Sequence, residues 1–125
     1  MKYEKYKSVY DPVFRVTYRI YPGKEFFKEF EKYVKPFLSV PDAISGSEEK
    51  YAGLTVNCKN TIAIYLRDVS PKAQHIATMV HELNHAVHMA LYDNCGVDYR
   101  EIETPAYVLE FLTFQFLTIL LVEKK

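Results

Sequence analysis

Cysteine is scarce in this chain of 125 residues, which contains only Cys58 and Cys95. Two cysteines are too few for the disulfide framework on which many small secreted domains depend. Residues 1–5 also lack the apolar stretch of a secretory signal. We therefore expect a protein of the reducing cytoplasm.

An excess of charge of either sign is also missing, because 16 Lys and Arg residues balance 16 Asp and Glu residues. This balance argues against a disordered acidic tail and against a basic arm that binds nucleic acid. We expect Tyr3, Tyr6 and Tyr10, which lie among lysines, to belong to a strand or arm packed on the domain rather than to stack on bases. No nucleic-acid partner is predicted.

Long apolar runs are absent as well. The charge-free stretch at residues 111–122 has 12 residues, whereas a membrane-spanning helix needs roughly 20. We predict no membrane span and interpret this stretch as part of a buried helix, with an anchor at a membrane interface as the alternative. Hydrophobic residues make up 49% of the chain, which suits one globular domain across residues 1–125.

The hydrophobic periodicity predicts an α+β fold with a sheet of about three strands. Apolar and polar residues alternate over residues 13–21, which is the period of a half-buried strand. Residues 51–57 and 61–67 are rich in β-branched and aromatic side chains, and the link between them has the length of a hairpin loop. These two segments are predicted to pair as antiparallel strands.

Three helices are predicted. Residues 24–38 carry an apolar stripe opposite lysines and glutamates. Ser70-Pro71 has the chemistry of a helix start, and the helix should run to about Tyr92. A last helix is expected from near Glu103 to Val122. Its start is ambiguous, since Asp98 with Glu101 resembles a capping box while Thr104-Pro105 resembles a second cap.

The second predicted helix carries all four histidines, and two of them enclose a glutamate as His81-Glu82-Leu83-Asn84-His85. Positions four apart on a helix lie about 40° from each other and one turn higher, so two imidazoles can face one point. Zinc, with Zn–N distances of about 2.0–2.1 Å, fits there. Glu82 lies about 100° round the helix, where a carboxylate can act as a base on a metal-bound water instead of as a ligand. The alternative is that these histidines are ordinary core or surface residues.

A catalytic zinc needs a third protein ligand and one open position. The downstream side chains able to supply that ligand are Asp93, Cys95, Asp98, Glu101 and Glu103. We favour Glu103, because the 18 residues that separate it from His85 suffice to end one helix and begin the next. Glu103 also shares a helix face with Tyr107 and Glu110, and a carboxylate stripe facing a core would be costly unless a metal lay there.

These motifs resemble a known family. His81-Glu82-x-x-His85 followed by Glu103-Thr104-Pro105-Ala106 is similar to the HExxH plus ExxA signature of the gluzincin zinc metallopeptidases. More narrowly, the run from His81 to Ala86, together with Glu103-x-x-Ala106-Tyr107, resembles short predicted metallopeptidases encoded by phages and prophages. The resemblance covers about the last half of the chain.

The resemblance implies a small zincin-like domain whose sheet packs on an N-terminal helix, an active-site HExxH helix and a C-terminal helix. It implies peptide-bond hydrolysis of a peptide or protein substrate, with His81, His85 and Glu103 as ligands of Zn²⁺ and Glu82 as general base. It also implies that residues 62–67 form an edge strand on which an extended peptide pairs.

Three further residues have weaker assignments. Tyr107 stands where larger relatives carry an acidic residue, and it is predicted either to stabilise the oxyanion or to be a plain core tyrosine. His88 is predicted either to stabilise the oxyanion as well or to be an ordinary histidine without a catalytic role. Glu110 either accepts the second ring N–H of a ligand histidine or lies at the solvent edge.

The alternative function is a non-catalytic binding or regulatory protein, acting on a host factor, that zinc stabilises. The substrate and the oligomeric state stay open.

Overall fold

A computed structural model describes residues 5–122. Its strands and α-helices are β1 (Lys7–Asp11), β2 (Val16–Pro22), α1 (Phe27–Val34), β3 (Gly53–Cys58), β4 (Thr61–Leu66), α2 (Ala73–His88) and α3 (Glu103–Leu117). Short 3-10 turns flank α1 at Lys24–Phe26 and Lys35–Phe37, and π-helical segments extend α2 over Met89–Asn94 and α3 over Thr118–Val122. The predicted α+β class is confirmed, but the sheet has four strands, so the prediction of about three is wrong.

The sheet has the strand order β1-β2-β4-β3. β1 pairs with β2 and β3 pairs with β4 in antiparallel fashion, whereas β2 and β4 are parallel. β4 therefore lies inside the sheet, and the prediction that residues 62–67 form an edge strand is wrong. Five of the six β4 residues are buried, because this strand is apolar on both faces, as interior strands with parallel neighbours usually are. β3 is the edge strand on that side.

β1 lies outside the periodic segments, but Tyr10 lies in it and Tyr6 packs on Tyr21, which agrees with the prediction of a strand or arm packed on the domain. Tyr3 lies outside the described residues. The five residues of β1 contain few apolar side chains, and Asp11 is buried beside Val9. The Asp11 carboxylate accepts hydrogen bonds from the backbone N–H groups of Val13 and Phe14 at 2.9 and 3.3 Å. These bonds hold a turn at the place where the first strand was predicted to begin, so β2 starts three residues later, at Val16.

The start of α2 also differs from the prediction. The helix begins at Ala73 and not at Ser70-Pro71. The Ser70 hydroxyl accepts from the Lys72 backbone N–H at 3.2 Å and lies 2.7 Å from His75 Nδ1. The serine thus orders the turn before the helix instead of capping it.

Gly96 and Glu101 shape the connection between α2 and α3. Gly96 has a φ of 69°, which is the left-handed conformation expected after a helix end. α3 begins at Glu103, as predicted, and of the residues in the two predicted caps Glu101 supplies its first hydrogen bonds, whereas the side chains of Asp98 and Thr104 do not. The Glu101 carboxylate accepts from the backbone N–H groups of Glu103 and Thr104 at 2.8 and 3.2 Å, and it therefore satisfies two N–H groups that lack helical partners.

Helices cover both faces of the sheet. One face packs on α1 through an aromatic cluster that includes Tyr21, Phe27, Phe30 and Tyr65. The other face packs on α2 and α3, with Leu83 and Val87 of α2 in the same core as Leu112 and Phe116 of α3. Since positions two apart on a helix point in nearly opposite directions, burial of Leu83 turns His81 and His85 toward solvent.

The helix from Glu103 to Val122 is long and apolar enough to cross a membrane by length and composition, and 22% of its most apolar stretch is buried. Core helices of water-soluble proteins have the same length and composition. One face is in the core, through Leu112, Phe116 and Leu120, whereas Phe111 and Phe114 are exposed. The prediction of a buried helix therefore holds for one face only.

Candidate metal centre

The imidazoles of His81 and His85 meet on the solvent side of α2. Their Nε2 atoms are 3.1 Å apart, and the two rings are nearly perpendicular, with centroids separated by 4.7 Å. Two nitrogens that share one zinc at about 2.05 Å lie about 3.1–3.4 Å apart when the N–Zn–N angle is about 100–109°. The pair therefore fits two positions of a tetrahedral zinc. Without a metal, the same approach permits an N–H···N hydrogen bond between the rings.

Glu82 faces the sheet. Its side chain is 7% exposed, and a buried carboxylate needs hydrogen-bond donors to offset the loss of water. The Thr55 hydroxyl on β3 supplies one, donating to Glu82 Oε1 at 2.6 Å. Glu82 also passes close to Gly53, where a Cβ atom would lie 2.7 Å from Glu82 Cγ and 2.9 Å from Oε2. A glycine at position 53 therefore leaves the space that the carboxylate occupies.

His81 and Glu82 share an open groove of about 460 Å³. The groove is also lined by Ala52, Gly53, Gln74, Ala77 and Thr78. Residues 81 and 82 therefore both border this groove, although their side chains leave the helix about 100° apart.

The free edge of β3 borders this groove. Arg67 donates its backbone N–H to the Ala52 carbonyl at 3.0 Å, and the pairing register continues to Leu54 opposite Tyr65. In an antiparallel pair, hydrogen-bonded positions alternate with positions that point outward. The backbone N–H and C=O groups of Gly53 and Thr55 therefore lie on the side away from β4, where an added strand would pair.

A third ligand does not join the histidine pair. Within residues 5–122, no three His, Cys, Asp or Glu side chains lie together as a group that could hold a metal. Glu103 is exposed in the first turn of α3, and Tyr107 and Glu110 are exposed on the same face, Tyr107 at 66%. The argument that this carboxylate stripe faces a core is therefore wrong, and the assignment of Glu103 as a ligand stays a prediction.

The start of α3 is nevertheless tied to the helix that carries the histidines. Tyr92 follows His85 by two turns, and its hydroxyl donates to the Glu101 carbonyl at 2.8 Å. The Tyr92 ring also packs against His88, with a centroid distance of 5.2 Å. The Glu101 carboxylate in turn accepts the Glu103 backbone N–H. Glu101 therefore connects Tyr92 to the first residue of α3. These bonds fix the start of α3 next to Tyr92, and they do not bring the Glu103 carboxylate to the histidine pair within the described residues.

Other residues considered from the sequence have different partners. Asp98 pairs with Arg100 at 2.7 Å, and this guanidinium lowers the pKa of the carboxyl. The exposed Cys95 thiol lies 3.7 Å from the Phe14 carbonyl oxygen. His75 contacts Ser70, and His88 contacts Tyr92. None of them lies in a metal-binding group within the part of the chain that the structure describes.

Thr55 and Gly53 are the site residues that the sequence analysis missed. Both lie on the β3 face that packs on α2, because Gly53, Thr55 and Asn57 alternate with the apolar residues of the strand. This alternation was visible in the sequence. What it could not indicate is which helix would lie on that face.

Comparison with known proteins adds no family to this description. No protein-family model matches the chain, and neither a curated protein nor a solved structure shows significant similarity to it. The resemblance to the gluzincins therefore depends on the residues of its two motifs and stays a prediction.

Proposed function

We propose that this protein is a zinc-dependent metallopeptidase with a minimal zincin-like domain. The observation that carries the proposal is the 3.1 Å approach of His81 Nε2 and His85 Nε2 beside the buried carboxylate of Glu82. Two imidazoles at zinc-binding separation, and a glutamate that borders the same groove as His81, are the parts of a metal-assisted hydrolase.

His81 and His85 would hold the metal, and Glu103 is the proposed third ligand. Zinc bound there would supply the Lewis acidity that lowers the pKa of a coordinated water. Glu82 Oε1 is engaged by Thr55, so Oε2 is the oxygen left to accept the proton from water. Glu82 would take a proton from the attacking water and would return it to the amide nitrogen as the peptide C–N bond breaks.

The proposed substrate is an extended polypeptide that pairs with the free edge of β3. The outward backbone groups of Gly53 and Thr55 offer one N–H and one C=O each to such a strand, and these two residues also contact Glu82. A peptide bound there would pass next to His81. Tyr107, one turn beyond Glu103, is the proposed hydrogen-bond donor to the oxyanion, and Glu110 is the proposed partner of a ligand histidine.

The alternative, a zinc-stabilised binding or regulatory protein without catalysis, is favoured by one observation. The described residues bring together two ligands and not the three of a catalytic site. Such a protein would bind zinc and hydrolyse no peptide.

Glu82→Gln separates the two functions. For the peptidase we expect this variant to bind zinc as the wild type does and to lose peptide hydrolysis by at least roughly hundredfold, since a general base contributes about 10²–10⁴-fold. The measurement combines zinc content with cleavage of a fluorogenic peptide library, and Glu29→Gln, on α1 at the other face of the sheet, is the matched control. Full cleavage by Glu82→Gln would refute the assigned base, and absence of any chelator-sensitive cleavage by the wild type would refute the peptidase.

A further inference from the structure

We propose that Thr55 is a positioning residue for the general base, an inference that rests on the proposed peptidase function. Thr55 does not line the histidine pair and has no ligand chemistry of its own. Its role is to fix the orientation of the Glu82 carboxylate, so that one oxygen is held by β3 and the other is left for the reacting water.

The hydrogen bond between these residues is short and charge-assisted. The Thr55 hydroxyl carries one proton and lies 2.6 Å from Glu82 Oε1, within the range of O–H···O⁻ bonds. The Glu82 carbonyl lies farther from the same hydroxyl, at 3.3 Å, so the proton goes to the carboxylate. Among the described residues, Thr55 is the only side chain that donates to Glu82.

The backbone of β3 makes this contact rigid. Asn57 and Asn94 exchange side-chain amide hydrogen bonds of 2.8 and 3.0 Å, and Asn94 also donates to the Lys59 carbonyl at 2.9 Å. β3 is therefore fixed to the helix at Asn94 as well as at Glu82. A strand attached at both places holds the Thr55 hydroxyl at a constant position relative to α2.

A glutamate side chain has several rotamers, and a base must lie within hydrogen-bond reach of the proton that it removes. Loss of the Thr55 hydroxyl would leave Glu82 Oε1 buried without a donor, which favours rotation of the carboxylate toward solvent or toward a histidine. The His81 and His85 nitrogens would keep their positions, because both side chains are exposed on α2 and contact each other instead of β3. The expected defect is therefore in turnover and not in metal binding.

The experiment compares Thr55→Val, Thr55→Ser and the control Thr61→Val, a substitution of a half-buried threonine on the neighbouring strand. We expect Thr55→Val to lower kcat by roughly ten- to hundredfold, with KM and zinc Kd within about twofold of the wild type. Thr55→Ser, which keeps the hydroxyl, should return kcat to within about threefold. Thr61→Val should leave kcat unchanged.

A second measurement needs neither zinc nor catalysis. In metal-free protein with ¹³C-labelled glutamate, side-chain relaxation should report an ordered Glu82 in the wild type and in Thr55→Ser, and a mobile Glu82 in Thr55→Val. Wild-type kcat in Thr55→Val, failure of serine to restore turnover, or an equally ordered Glu82 in all three proteins would overturn the proposal. If the wild type cleaves no peptide, the peptidase function fails, and the relaxation data still decide whether Thr55 positions Glu82.

Discussion

Zinc should stabilise the folded protein through the histidine pair, because the geometry permits binding, and the size of the effect follows from the free zinc concentration relative to Kd. Nitrogens 3.1 Å apart, each about 2.05 Å from a zinc ion, enclose an angle of about 98° at the metal. This angle is near the tetrahedral value, so the imidazoles need little movement to bind. The unfolded chain does not hold the pair in this arrangement, and zinc binding therefore adds to the free energy of unfolding.

At a free zinc concentration of about one hundred times Kd, the added stability is about 2.7 kcal/mol. For a domain of this size, 1 kcal/mol raises Tm by about 4 °C, which gives a rise of about 10 °C. Removal of one ligand in His85→Ala should raise Kd by more than roughly hundredfold, since loss of a mere hydrogen-bond partner of a ligand already costs about 10–100-fold. At the same zinc concentration, the rise in Tm should then fall below about 2 °C.

The assay is calorimetric unfolding of the chelator-treated protein with and without added zinc. His88→Ala is the matched control, because His88 is an exposed histidine of the same helix that packs against Tyr92 instead of joining the pair. It should keep the full rise in Tm. An equal loss of the zinc effect in His88→Ala and His85→Ala, or no zinc effect in the wild type, would refute the assignment of the pair.

Further predictions concern the third ligand, the core and the thiols. Glu103→Ala should raise zinc Kd by more than about tenfold in titration calorimetry, whereas Asp98→Ala should not change it; equal affinities would remove Glu103 from the site. Phe116→Ala should lower the free energy of unfolding by about 3–5 kcal/mol in urea denaturation, and a loss below about 1 kcal/mol would contradict its burial. Burial raises the pKa of the Cys58 thiol to about 11, so a thiol reagent at pH 8 should modify the exposed Cys95 alone, and two fast-reacting thiols would contradict this. Because the unfolded thiol ionises first, the free energy of unfolding should fall as pH rises from about 9 to 11.

The sequence predicted the helices and strands whose hydrophobic pattern is complete within one stretch of neighbouring residues. The hairpin of β3 and β4, the amphipathic α1 and the histidine-bearing helix all follow from periodicity over adjacent residues. The 3.1 Å approach of His81 and His85 is local in the same sense, since helix geometry alone brings positions four apart to one side.

Features that depend on distant residues could not be predicted in this way. The position of β4 inside the sheet depends on its parallel pairing with β2, and no local pattern reports that pairing. α3 carries apolar residues on every side, so its sequence does not indicate which face is buried. The expectation that Glu103, Tyr107 and Glu110 face a core failed for this reason. The contact between Thr55 and Glu82 likewise joins residues that are 27 positions apart.

The pairing of β2 with β4 has a consequence for the order of events during folding. Tyr18 lies opposite Ile62, so the sheet closes only after a long loop has been brought together, which is a slow step. The histidine pair needs nothing beyond two turns of helix, whereas Glu82 gains its partner only when β3 is in place. For the proposed peptidase, zinc binding during refolding should therefore precede peptide cleavage.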